Sequence, residues 1–263
     1  QKEMFCYQCE QTAGCSACTG KAGVCGKKSS TAKLQDKLTG ALIALARAAQ
    51  GTVPTESTHR VMLEGLFTTV TNVNFNEETI LKLIEKVNRE KDALVPQCDS
   101  CKKQCGRNDE YDMELLWNAD EDIRSLKSLI LFGLRGMAAY AYHALMLGYT
   151  DADVNAFLYE GLFAVGSEMD MQQLLPVVLK VGEVNLKCMQ LLDKANTDTY
   201  GTPSPATVTL TVEKGPFIVV SGHDLRDLHM LLEQTADKGI NVYTHGEMLP
   251  AHAYPKLREY KHL

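Results

Sequence analysis

The sequence predicts a mainly α protein: a cysteine-rich N-terminal loop, then helical bundles, then the start of a Rossmann-like parallel α/β domain. Three observations carry this reading. Cysteine, glycine, glutamine and lysine crowd residues 4–28, with little apolar periodicity. From about residue 30 to 196, apolar residues recur at helical spacing. After Asn196 the pattern changes to short β-branched runs flanking one amphipathic stretch. The expected divisions are a cysteine-rich loop over 1–29, a helical-bundle domain over 30–206, and an incomplete α/β domain over 207–263.

Each element follows from its local pattern. Leu34, Leu38, Leu42 and Leu45 share one face of a helix beginning near Thr31. A second helix is expected over Glu56 to Val70, and a third over Glu77 to Glu90 with Asn76 as N-cap. Pro96 to Asp112 reads as a polar loop. A long helix follows from about Asp120 to Leu147, stopped by Gly148. Thr150-Asp151-Ala152-Asp153 resembles a capping box and starts a helix to about Val165. Another helix spans roughly Asp170 to Ala195, with Pro176 in its first turns, where a missing N–H costs least. Thr197 to Ala206 reads as a linker. Val208–Val212 alternates like a strand, Pro216–Val220 is a short strand, Leu225–Lys238 is helical, and Ile240–Tyr243 is a second strand in parallel order. Two strands and a helix do not close such a domain, so the chain is expected to be a fragment of a longer protein.

Composition narrows the function. The net charge is −6, which disfavours nucleic acid as main partner, because phosphate binding needs a basic face. Gln1 to Gln11 carries no apolar core of a secretory leader. The apolar run Leu129 to Tyr149 is interrupted by Arg135 and His143 and reads as a buried helix rather than a membrane span. There are nine cysteines, five of them within the first 25 residues. That crowding suits metal-bound thiolates in a reducing cytoplasm better than a secreted disulfide framework.

Cys6-x2-Cys9 precedes Cys15-x2-Cys18 and then Cys25. Each Cys-x2-Cys pair sets two thiolates on one tight turn, which suits an iron–sulfur cluster or a zinc ion. Four thiolates complete a site, so one of the five is spare. His223 and Glu247 follow the two expected strands, at the carboxyl ends where open α/β sheets hold ligands. An imidazole beside a carboxylate suits iron; a helix cap and a surface carboxylate are the plainer reading. Cys98-x2-Cys101-x3-Cys105 looks metal-like but lacks an obvious fourth ligand and reads as structural or free thiol. Cys188 reads as core, and Tyr140, Tyr142 and Tyr149 as packing.

Met4-Phe-Cys-Tyr-Gln-Cys-Glu-Gln-Thr12, Gly23-Val-Cys-Gly-Lys27 and Leu34-Gln-Asp36 resemble the N-terminus of the hybrid-cluster proteins, also called prismane proteins or hydroxylamine reductases. The resemblance continues through Asp120–Lys127, Gly133-Leu-Arg-Gly136, Ala195–Tyr200, Ser221-Gly-His-Asp-Leu225 and His245–His252. It covers the whole chain, as roughly the N-terminal half of a family member. It implies a [4Fe–4S] cluster, or [2Fe–2S] in a subgroup with longer spacing. The ligands it implies are Cys6, Cys9, Cys18 and Cys25, the eight-residue gap after Cys9 selecting Cys18 over Cys15. It also implies that His223 and Glu247 ligate a hybrid [4Fe–2O–2S] cluster whose remaining ligands lie later than this chain, with His245 and His252 nearby.

The implied chemistry is reduction of hydroxylamine to ammonia, or of nitric oxide, with electrons relayed from a donor redox protein through the N-terminal cluster. No membrane partner is expected. Two other readings stay open: an electron-transfer module without turnover, and a zinc-bound structural domain.

Overall fold

A computed structural model of the chain describes residues 4–9, 16–94 and 110–263. Two units emerge: Gln1–Tyr142 with Asp151–Cys188, and His143–Thr150 with Met189–Leu263. The regular elements described in the first are helices. Its elements are α1 (Ser29–Ala48), α2 (Glu56–Thr68), α3 (Glu77–Leu94), α4 (Met113–Trp117), α5 (Glu121–Met146, up to Tyr142), α6 (Ala152–Gly166) and α7 (Met171–Tyr200, up to Cys188).

Helix α1 is the central element of this unit. Leu38, Leu42, Ile43 and Leu45 are fully buried, and α2, α3 and α6 pack against it. Asn76 accepts a hydrogen bond from the Thr79 N–H at 3.1 Å, so the expected cap of α3 forms. The cap of α6 is Asp151 rather than Thr150: its carboxylate accepts from the Val154 N–H at 3.0 Å. The short helix α4 has no sequence expectation, being too brief to show a period. Asp112 caps it, accepting from the Glu114 N–H at 2.9 Å.

By length and composition α5 is apolar enough to cross a membrane. Within this unit, however, Ile130, Leu131, Leu134, Met137 and Ala138 are fully buried against protein. Gly133 permits one of these contacts, since a Cβ there would lie 2.5 Å from Val181 Cγ1 on α7. Cys188 is buried as expected, its thiol donating to the Met137 carbonyl at 3.4 Å, and burial pushes its pKa up to about 12.

The second unit contains β1 (Phe217–Ser221), α8 (Leu225–Thr235) and β2 (Asn241–His245), followed by 3₁₀ turns at Gly246–Ala253 and Leu257–Glu259. The strands pair in parallel, Phe217 opposite Asn241 and Ser221 opposite His245. This is the strand–helix–strand order read from the sequence. Its core is Leu225, Leu228, Leu232, Val242, Met248, Ala251 and Leu257, packed round Tyr200. The opposite sheet face stays open: Phe217 and Val219 are each 56% exposed.

Two expectations fail here. Helix α7 runs through Thr197–Tyr200, where a linker was expected. The Thr197 and Thr199 hydroxyls donate back to carbonyls four residues earlier, and Tyr200 is buried in the core. The helix stops at Gly201, whose φ of +88° suits glycine. Val208–Val212 forms no strand: it pairs with none of the described strands, and Leu210 is 99% exposed. Alternation supplies β propensity, but a strand also needs a neighbour to take its hydrogen bonds.

Candidate functional site

The N-terminal loop is built from short hydrogen-bonded pairings rather than from a helix or sheet. Cys6 and Cys18 form an antiparallel bridge: the Cys6 N–H donates to the Cys18 carbonyl at 3.0 Å, and the Cys18 N–H to the Cys6 carbonyl at 2.9 Å. A mutual pair of this kind brings the two α-carbons to about 5.5 Å with both side chains on one face. A second bridge joins Ala22 and Lys28. Inside it the Gly26 N–H donates to the Gly23 carbonyl at 2.8 Å, and Gly26 takes a φ of +84°. This tight turn carries Cys25.

Cys6 and Cys18 are buried together with Met4 and Ala32, while Cys9 and Cys25 are half-buried. All four are free thiols. Cys15, Cys98, Cys101 and Cys105 lie outside the described residues.

Beneath this loop is a buried polar floor. Gln8, between the first two cysteines, is its hub. Its side-chain amide N–H groups donate to Asp36 Oδ1 at 2.8 Å and to the Ala32 carbonyl at 3.2 Å. Its Oε1 accepts from Lys27 Nζ at 2.9 Å. Its backbone carbonyl accepts from Arg135 Nη1 at 3.4 Å. Arg135 also donates from Nε to Thr69 Oγ1 and from Nη2 to Thr39 Oγ1, each at 3.1 Å. Lys27 and Arg135 are each 3% exposed.

Burial dominates the electrostatics. It lowers the Arg135 pKa to about 10, against opposing pulls from Asp36, Cys6 and Cys9. It raises the Asp36 carboxyl to about 6, partly offset by the Gln8 hydrogen bond and by Arg135 and Lys27. Burial also pushes the Cys6 thiol up, with a backbone hydrogen bond from Gln8 and the charge of Lys27 pulling the other way.

Lys27, Asp36 and Arg135 lie inside the sequence motifs, but no local pattern gives them a role. The available signal was Arg135 itself, a charge interrupting an otherwise apolar helix. Aromatic rings flank the loop: Tyr7 meets Trp117 edge-on at 5.3 Å, and Phe5 lies 6.3 Å from Trp117.

His223 follows β1 and Glu247 follows β2, so both stand at the carboxyl ends of neighbouring parallel strands. Both are exposed, and neither hydrogen-bonds or ion-pairs within the described residues. Their neighbours do have partners: Ser221 Oγ lies 3.2 Å from His245 Nδ1, and Thr244 Oγ1 lies 2.8 Å from His252 Nε2. Among the described residues no three His, Cys, Asp or Glu side chains converge tightly enough to hold a single metal ion.

The Prismane/CO dehydrogenase family profile matches residues 4–263. A hydroxylamine reductase of Thermodesulfovibrio yellowstonii is 48% identical, covering 98% of this chain and 52% of its own length. One from Solidesulfovibrio magneticus is 45% identical, covering 98% and 52%. One from Porphyromonas gingivalis is 44% identical, covering 100% and 51%. The chain thus spans about half the length of the curated relatives it matches.

Proposed function

Because the chain belongs to the Prismane/CO dehydrogenase family, we propose that it is the iron–sulfur portion of an oxidoreductase that reduces small nitrogen oxyspecies. The substrates proposed are hydroxylamine and nitric oxide, and the setting a reducing cytoplasm. Its N-terminal cysteines would receive electrons from a donor redox protein. The observation that carries the reading is the cysteine loop above the buried cations. Four cysteines lie in one loop, and among the described residues the two cations beneath them, Lys27 and Arg135, hydrogen-bond only to neutral oxygens. Buried positive charge of this kind calls for negative charge nearby, which Asp36 and thiolate-bound iron would supply together.

Cys6, Cys9, Cys18 and Cys25 are the proposed ligands of a [4Fe–4S] cluster. A single zinc ion needs its donors crowded round one centre. A cubane takes one thiolate at each iron. When bound, such a cluster supplies a one-electron carrier. The chain's own share is to fix and tune it. The Cys6–Cys18 bridge holds two ligands on one face, the Gly23–Gly26 turn presents Cys25, and Gln8 ties the first pair to α1 and α5. Phe5, Tyr7 and Trp117 keep that side of the loop apolar. His223 and Glu247 are the proposed iron ligands of a hybrid [4Fe–2O–2S] cluster, their free imidazole and carboxylate being suitable donors.

Anaerobic reconstitution with iron and sulfide tests the reading. The expected result is about four irons per chain and a brown protein, with both lost in Cys9→Ser. Zinc in place of iron, or an unchanged spectrum in Cys9→Ser, would overturn it.

A further inference from the structure

Arg135 presents an unusual balance of charge. Its guanidinium is buried on α5, stacked 5.9 Å from the Phe132 ring centroid. Its three hydrogen-bond acceptors are Thr69 Oγ1, Thr39 Oγ1 and the Gln8 carbonyl, all neutral. Among the described residues neither Arg135 nor Lys27 has a carboxylate within ion-pair distance. Asp36, the acid of the network, accepts from Gln8. A buried guanidinium without an ion pair is costly unless negative charge lies close by. The groups positioned to supply that charge are Asp36 and the thiolates of the loop. Arg135 and Lys27 both hydrogen-bond to Gln8, one residue from Cys9 and two from Cys6.

We propose that Arg135 and Lys27 are positioning residues that form an internal counter-charge to the N-terminal iron–sulfur cluster and stabilise its reduced form. The inference rests on the cluster assignment above. One electron from the donor protein adds one negative charge at the cysteine loop. Two fixed cations in a water-excluded floor favour that added charge more than water would, because the low local dielectric strengthens the attraction. They therefore raise the reduction potential. Neither cation gains or loses an electron or a proton in the step. The Gln8 carbonyl and side chain hold both cations in register with the Cys6–Cys9 turn, and Thr39 and Thr69 fix the plane of the guanidinium.

The test is a spectroscopically monitored redox titration of the reconstituted full chain, comparing the parent with Arg135→Gln, Arg135→Lys and Lys27→Gln. With ambient potential fixed at the parent's midpoint, the reduced-to-oxidised ratio should fall at least tenfold in Arg135→Gln, equivalent to about 59 mV for a one-electron couple. Arg135→Lys should stay within about threefold of the parent, because charge rather than shape is at issue. Lys27→Gln should shift in the same direction as Arg135→Gln. An unshifted Arg135→Gln overturns the proposal, as does an equal shift in Arg135→Lys. Should Arg135→Gln fail to fold or to hold iron, Lys27→Gln decides alone, and an unchanged ratio there overturns it. Failure of the parent to bind iron would sink the cluster assignment instead. A parent that binds iron beside unshifted variants would sink only this inference.

Discussion

Cys15 and Cys18 separate the ligand assignment most cleanly. Cys18 exchanges two backbone hydrogen bonds with Cys6, which fixes its side chain beside that of another proposed ligand. Cys18→Ala should therefore abolish the iron-dependent absorption after reconstitution, while Cys15→Ala should retain it. The reverse pattern, read by iron content and visible spectrum, would exchange the two roles. Asp36 makes a pH-dependent contribution. Its folded pKa of about 6 lies above the ordinary 3.8, so the folded state holds this proton where the unfolded state has lost it. In iron-free protein, stability should fall as pH rises from about 4 to about 6, by on the order of 2 kcal/mol. Asp36→Asn should remove that slope. Urea denaturation of both proteins across this range checks it, and parallel pH curves would refute it.

At the scale of elements, the approach of α7 to α5 is exacting. Gly133 on α5 has no room for a side chain, since a Cβ would meet Val181 Cγ1 at 2.5 Å. Gly133→Ala should cost about 1–3 kcal/mol, the usual range for overpacking, despite alanine's better helix propensity. The paired change Gly133→Ala with Val181→Ala should recover part of that loss, measured by thermal melting. Helix α7 carries a different lesson. Asn196 ends the apolar periodicity, yet the helix continues for four residues because Tyr200 is drawn into the core beside Leu225 and Met248. Packing of one aromatic residue outweighs the weak helix propensity of the two threonines. At 208–212 the reverse holds: alternation favours a strand, and no described strand accepts it.

For the molecule as a whole, the expectation concerns turnover. After Cys188 the sequence has no cysteine, and β1 and β2 leave one sheet face open beside His223 and Glu247. The 263-residue chain alone, its N-terminal cluster loaded, should consume hydroxylamine slowly or not at all. Reductant-dependent turnover that is lost in His223→Ala would show that the chain carries a complete active site. By itself the sequence determined the helical bundles, the parallel strand–helix–strand order, the cysteine loop and the family. Each of these is written locally, in apolar spacing, capping residues, glycines and cysteine intervals. Only the tertiary structure decided that Asp151 rather than Thr150 caps α6, that α7 runs on to Tyr200, and that Val208–Val212 stays unpaired. It also brought Gln8, Lys27, Asp36 and Arg135 together from four separate stretches of chain. That meeting depends on which helix faces which. A buried charge acquires its meaning from partners that are distant in sequence, and no local pattern names them.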